Sequence, residues 1–376
     1  MGVIRLFLAA SVLQSHVFAH ILAPNGLIID NTITLGMAGG YAVMFFFVIS
    51  GFLISFVLEE KYDRPGGVAD FYQARAIRIY PLWWSVWIVA ALLFGFARRQ
   101  HILDFLTSFF LIGSDSRASF WSYPLPHFEL FPIGTALGWS LATELLFYIV
   151  APFLLRSNRA CIVVFVASAL FREIINRIFP LPGTDLYVWN AWAYCFFPST
   201  VLFFLLGHLS RELFKKFPMP NWMAFSGLAV VAASCLLQDG AYAFENIGFY
   251  FAILVFAAAL PAIFEATKDN AVSNFLGDLS YPLYLTHGLL LVALVDRPTP
   301  LNHVMHLIMK KSEAWAPAVW PRAILISFCV FALAMLVSVI TRFAVEIPMS
   351  QAFRAVLTRL RSVRPVVRRA IRYPTN

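Results

Sequence analysis

A histidine inside a membrane-length apolar stretch can serve as a proton acceptor or as a nucleophile. The segment Val3–Ala23, VIRLFLAASVLQSHVFAHILA, holds two, His16 and His20, and has Arg5 near its start. An α-helix turns about 100° per residue, so Arg5 and His16 come to nearly the same face, roughly 16 Å apart along the axis. Ionisable groups are costly inside a membrane helix and usually face a bundle interior or a wet cavity. His16 is therefore the expected reactive centre of a membrane enzyme. His20 lies one turn further on, nearer the end of the segment, where water can reach it. The two histidines have the spacing of a metal pair, but no third ligand adjoins them in sequence, so no metal site is expected.

Other polar groups lie at helical spacings in later apolar stretches. In FYQARAIRIYPLWW (Phe71–Trp84), Arg75 and Arg78 share one face of a short helix at a membrane surface. Guanidinium matches phosphate geometry and stays charged, so the pair could hold a phosphorylated ligand or merely lipid phosphates. Pro81 is expected to open or kink the span that follows, and Trp83, Trp84 and Trp87 form an interfacial belt. In GWSLATELLFYIVAP (Gly138–Pro152), Ser140, Glu144 and Tyr148 are four apart on one face. A carboxylate there needs a partner, either a membrane arginine or a histidine that it orients. LGDLSYPLYLTHGLL, from Leu276, adds Asp278, Ser280, Tyr284 and His287, with a bend at Pro282; TRFAVEIP places Glu346 near the end of the last span. His208 closes the sixth apolar segment and reads as structural. Gly39, Gly40, Ser50 and Gly51 allow close helix approach in the second.

The elements that must position these groups follow from hydropathy. The chain has 376 residues, 60% apolar, 16% aromatic and 13% charged, with a net charge of +8. Those values exclude an ordinary soluble domain and a disordered chain. Ten membrane segments are expected: Val3–Ala23, Met37–Leu58, Ile79–Ala97, Gly138–Leu155, Cys161–Phe179, Trp192–Leu209, Trp222–Leu237, Ile247–Phe264, Leu279–Val295 and Ala323–Val345. The fifth is interrupted by Arg172 and Glu173, and Glu173 is placed to pair with Arg177.

With ten spans, one side collects 19 of the 28 basic residues, eight of them from Arg342 onward. The expectation is therefore an all-α polytopic bundle with both termini cytoplasmic, in a bacterial inner membrane. Residues 1–348 form its membrane domain and 349–376 a basic cytoplasmic tail that attracts anionic lipid rather than nucleic acid. The long connection from Arg98 to Leu137, rich in aromatics and prolines, is external and suits a lid or re-entrant piece. Cys161, Cys195, Cys235 and Cys329 all lie in apolar segments, so neither a disulfide framework nor a zinc cluster is expected. The N-terminal run is expected to be a span rather than a cleaved signal peptide.

Six pieces, in this order, resemble the acyltransferase 3 family of integral membrane acyltransferases. They are Arg5 with His16 in the first span, FFFVISGFLI (Phe45–Ile54), FYQARAIRIYPLWW with Arg75 and Arg78, WSLATELLFY (Trp139–Tyr148), LGDLSYPLYLTH (Leu276–His287) and VEIP (Val345–Pro348). The resemblance runs from residue 5 to about 348. It implies ten helices and transfer of an acyl group, usually acetyl, from cytoplasmic acyl-CoA to an extracytoplasmic acceptor, commonly a glycan or lipid-linked saccharide hydroxyl. It implies no permanently bound cofactor; acyl-CoA is a substrate. It makes His16 the expected catalytic histidine and Arg5, Arg75, Arg78 and Glu144 expected functional positions. On this view Arg75 and Arg78 hold coenzyme A phosphates, and Glu144 fixes the His16 tautomer as the acid of a triad does. His16 takes the acceptor proton or accepts the acyl group. Ser140, Tyr148, Tyr284 and His287 are further candidates. Too few residues follow Glu346 for the esterase-like domain fused in part of the family, so the chain is expected to act alone or with a separate partner. The competing class is a secondary transporter or polysaccharide-export component, whose core also carries His, Glu and Arg; paired half-sequences, its usual mark, are not evident.

Overall fold

In the computed structural model the described residues of the ten apolar segments are helical, apart from the last residue of two of them and Phe196, which is extended and divides the sixth segment between a π turn (Asn190–Cys195) and the helix that follows; no strand occurs among the described residues. The structure describes residues 1–27, 39–94, 102–116, 119, 138–180, 184, 186–217, 220, 222–236, 247–295, 299–316 and 318–370. Most of the Arg98–Leu137 connection, and the connections around Asp30 and Asp239, lie outside them.

The helices that position the site are α1 (Gly2–Val17), α2 (Gly39–Tyr62), α3 (Gly67–Phe94), α4 (Ile102–Phe110), α5 (Gly138–Leu154), α6 (Asn158–Ile178), α7 (Phe197–Lys216), α8 (Trp222–Leu236), α9 (Ile247–Thr267), α10 (Ala271–Val295), α11 (Pro300–Trp315), α12 (Val319–Thr341) and α13 (Ile347–Ala370). Six helical stretches are long and apolar enough to cross a membrane: Gly2–Asn25, Gly39–Tyr62, Gly67–Leu93, Ile247–Thr267, Ala271–Val295 and Val319–Arg359. α5 and α8 are apolar but shorter. α6 and α7 are diluted by polar and charged residues such as Arg172, Glu173, His208 and Arg211.

Neighbouring helices have readable directions. α2 and α7 run parallel, since Phe47 stacks on Phe204, Ser55 bonds His208 and Glu59 pairs with Arg211. α9 is parallel to α2, through Tyr41–Phe249, Phe45–Phe256 and Phe52–Phe264. α3 and α5 are antiparallel, because Gly138 meets Trp83 while Tyr148 meets Phe71. α6 and α7 are antiparallel too, joining Ser168 to Pro198 at one end and Asn158 to His208 at the other.

α2 crosses α7 with the two backbones in close approach. A Cβ on Gly51 would lie 1.8 Å from the Phe204 carbonyl oxygen, and one on Gly207 would lie 2.0 Å from that of Val48. Gly39 lies against the Ser15 side chain of α1, whereas Ser50 turns to a different task described below. In membranes such small residues let backbones touch and gain dispersion contact.

Three local expectations change. Arg75 and Arg78 do not sit on a separate surface helix; α3 is continuous and Pro81 lies inside it. Proline removes one helical N–H and frees the carbonyl four residues back. Here that carbonyl, of Ile77, accepts a bond from Ser350 Oγ at 3.4 Å. The residues expected as a tail begin as helix α13, which packs on α3 through Met349 against Ser85 and Phe353 against Trp84. Finally, Arg172 does not break α6. It is 2% exposed, bonded to Tyr250 and the Ala193 carbonyl and stacked over Trp189 and Phe203, while Glu173 and Arg177 pair at 2.8 Å on the surface.

Candidate active site

α1 and α10 lie side by side and parallel. Their first turns meet where a Cβ on Gly277 would fall 2.6 Å from the Gly2 Cα, and the Gly2 N–H donates to Ser273 Oγ at 3.1 Å. From that start, Arg5 comes within electrostatic reach of Asp278, and His16 comes against His287. The imidazole centroids of His16 and His287 are 5.4 Å apart and tilted by 38°. His20 stacks on the other side of His16, at 6.0 Å and 15°. α1 does not run as a plain α-helix through both histidines. A π turn, Phe18–Leu22, follows Val17, and such wide turns recur at functional sites.

His287 is fully buried. Its Nδ1 lies 3.2 Å from the Leu283 carbonyl oxygen, and its Nε2 is buried with no partner. One turn back, Tyr284 sets its ring 5.7 Å from His287 and shares a 2.5 Å hydroxyl hydrogen bond with Ser140 of α5. Ser140, Tyr284 and His287 thus form a polar line from α5 to His16.

Glu144 lies further along the same face of α5 as Ser140. Its Oε1 accepts from Ser50 Oγ at 2.8 Å and from the Tyr148 hydroxyl. The expected Glu144–His16 contact is not made among the described residues. The reason is local: Tyr148 stands one turn away on the same face, and Ser50 of α2 reaches in from the side. His16 instead has the imidazoles of His287 and His20 as neighbours, while Glu144 acts on Arg5 and Tyr284.

The end of the bundle near Arg78 is cationic. Arg78 Nη1 donates to Glu346 Oε1 at 2.8 Å and its guanidinium sits 4.9 Å over the Tyr281 ring. Arg342 approaches the other Glu346 oxygen at 3.2 Å and also pairs with Asp278. Arg75 lies over the rings of Phe71 and Tyr148, and its Nε is buried without a partner. Arg5 completes the group, within reach of Arg78, Glu144, Tyr148 and Asp278. Four guanidiniums (Arg5, Arg75, Arg78, Arg342) thus face three carboxylates (Glu144, Asp278, Glu346), and that excess positive charge suits an anion. Arg342, Asp278 and Glu346 were visible as polar residues in apolar surroundings, but no spacing in the sequence links them to Arg78.

His208 differs from His287. Both of its nitrogens are engaged, Nδ1 with Ser55 Oγ at 2.8 Å and Nε2 with Asn158 Oδ1 at 3.0 Å. No cluster of three or more His, Cys, Asp and Glu residues that could hold a metal occurs among the described residues.

Three comparisons bear on this arrangement. A family model described as an acyltransferase domain matches residues 1–343. Nodulation protein 10 of Rhizobium leguminosarum bv. viciae is 28% identical over 318 residues, 78% of this chain and 82% of that protein. Exopolysaccharide production protein ExoZ of Rhizobium meliloti is 26% identical over 265 residues, 68% of this chain and 76% of that one. Peptidoglycan O-acetyltransferase OatA of Listeria monocytogenes is 25% identical over 282 residues, 66% of this chain but 44% of that one. No solved structure matches.

Proposed function

The chain belongs to the acyltransferase 3 family of integral membrane acyltransferases, and on that premise we propose that it takes an acyl group, most simply acetyl, from acyl-CoA at its Arg78 end. The acceptor is a hydroxyl of a glycan or lipid-linked saccharide presented at the opposite end. The observation that carries this reading is the division of the interior into two parts. A cationic end with surplus guanidinium suits the coenzyme A phosphates, and a histidine group, with His287 buried and His16 and His20 half-buried, lies further along α1 and α10. The printed functions of two relatives, exopolysaccharide production and peptidoglycan O-acetylation, favour a saccharide acceptor and an acetyl donor.

In this mechanism a His16 nitrogen takes the proton of the acceptor hydroxyl as its oxygen attacks the thioester carbonyl. The new C–O bond forms, the C–S bond breaks, and the leaving thiolate recovers the proton from the imidazolium. Transfer through an acyl-His16 intermediate would use the same lone pair. Glu144, held by Ser50 and Tyr148, balances the charge of Arg5.

The donor site has a direct test. Arg75→Ala or Arg78→Ala should weaken acetyl-CoA binding to detergent-purified protein, because each lost charge-assisted hydrogen bond contributes roughly 1.5–3 kcal/mol. Arg75 is the cleaner probe, since removing Arg78 also breaks its ion pair with Glu346. Unchanged affinity in both variants would leave the arginines as lipid anchors and remove the donor site from this end.

The same reading places ten crossings in a bacterial inner membrane, with both termini cytoplasmic. The parallel and antiparallel packing of α1, α2, α3, α5, α6, α7, α9 and α10 follows the alternation that ten crossings require. Reporter fusions after Asp239 and after Asn376 should therefore report opposite sides; the same side for both would reject the topology.

A further inference from the structure

His287 is buried to 0% exposure, yet half of its hydrogen-bonding capacity is unused. A carbonyl oxygen only accepts, so the 3.2 Å contact with Leu283 makes Nδ1 the donor. The neutral ring then carries its lone pair on Nε2, the atom that has no partner. Leaving a buried acceptor unmet is unfavourable, and native interiors rarely do so without cause. His208 shows the alternative within the same molecule, with a partner on each nitrogen.

The groups around His287 narrow the cause. Tyr284 faces it at 5.7 Å, but its hydroxyl is engaged with Ser140. His20 lies beyond His16. His16 itself is 5.4 Å away between centroids. An N–H···N bond of roughly 3 Å between facing ring nitrogens would set two imidazole centroids about 5 Å apart. The observed 5.4 Å separation matches that spacing.

We propose that His287 is the positioning residue for His16: its Nε2 accepts the His16 N–H and selects the tautomer whose other nitrogen faces the substrates. This is the part that the sequence assigns to Glu144. The inference rests on the acyl-transfer reading above. During transfer the acceptor proton moves to the free nitrogen of His16. The opposite N–H of the resulting imidazolium is then held by His287 Nε2, and the proton leaves with the thiolate. His287 is unchanged at the end.

The test uses the full chain in membranes from cells lacking their own copy, with labelled acetyl-CoA as donor and label in the glycan fraction as readout. His287→Leu should lower kcat by about 100-fold or more and leave KM for acetyl-CoA within roughly two-fold. His287→Gln, whose amide oxygen can still accept the N–H, should retain much more activity than Leu, and added imidazole should partly restore His287→Ala. Parental kcat in a normally inserted His287→Leu protein would overturn the inference. So would equal inactivity of the Leu and Gln variants without imidazole rescue, which marks a packing role. His16→Ala run in parallel separates the two levels. If it still transfers, the acyl-transfer reading of this site has failed; if it is inactive while His287→Leu is active, only the role of His287 has failed.

Discussion

His16→Ala protein reaches the membrane in normal amount and transfers acyl groups about 10²–10⁴-fold more slowly than the parent. His16 sits in the last turn of α1, between the imidazoles of His20 and His287. Removing it takes away the ring that meets both of these neighbours. Alanine is also the best helix former, so α1 should not weaken. His20→Ala is the matched control, because His20 lies in the π turn on the outer side of the pair and should leave substantial activity. The assay is label transfer at equal protein level, judged by immunoblot of washed membranes. A well-inserted His16→Ala protein that works at near-parental rate would remove His16 from the chemistry and turn attention to His287.

Gly51→Leu yields almost no monodisperse protein. α2 is among the most enclosed helices of the bundle, with 72% of its most apolar window buried. At Gly51 the obstacle is backbone, since even a Cβ would stand 1.8 Å from the Phe204 carbonyl. A flexible side chain can move aside, whereas a helix carbonyl moves only with its helix. Overpacking a core ordinarily costs about 1–3 kcal/mol. Here α2 and α7 must separate along their contact, which also disturbs the Ser55–His208 bond one turn away. Size-exclusion chromatography after mild detergent extraction measures the effect. Leu92→Ala, at a residue 80% exposed on the outside of α3, should leave the profile unchanged. A parental profile for Gly51→Leu would mean that the α2–α7 crossing is looser than its geometry indicates.

Helix positions were legible because apolar windows are a local property, and the ten segments fall on helices within a few residues. The same holds for the surface pair Glu173–Arg177, whose partners are one turn apart. Features that depend on distant partners were not legible. Pro81 reads as opening or kinking a span because the sequence does not show that the helix of Arg75 and Arg78 runs on through it. Glu144 looked like the orienting acid because its carboxylate is on a plausible face, but helical spacing does not say which neighbouring helix supplies Ser50. The candidate histidine was found from its cost in an apolar run. Its ring neighbour His287, 271 positions away, became visible only when α1 and α10 proved parallel.

The π turn after Val17 carries one residue more than an α turn would over the same rise. A helix absorbs a one-residue insertion in this way without shifting the contacts that precede it. Relatives whose first helix is unbroken should therefore align with a single-residue gap between His16 and Leu27. A gap at that place records a change of helical winding and leaves the count of residues from Arg5 to His16 untouched.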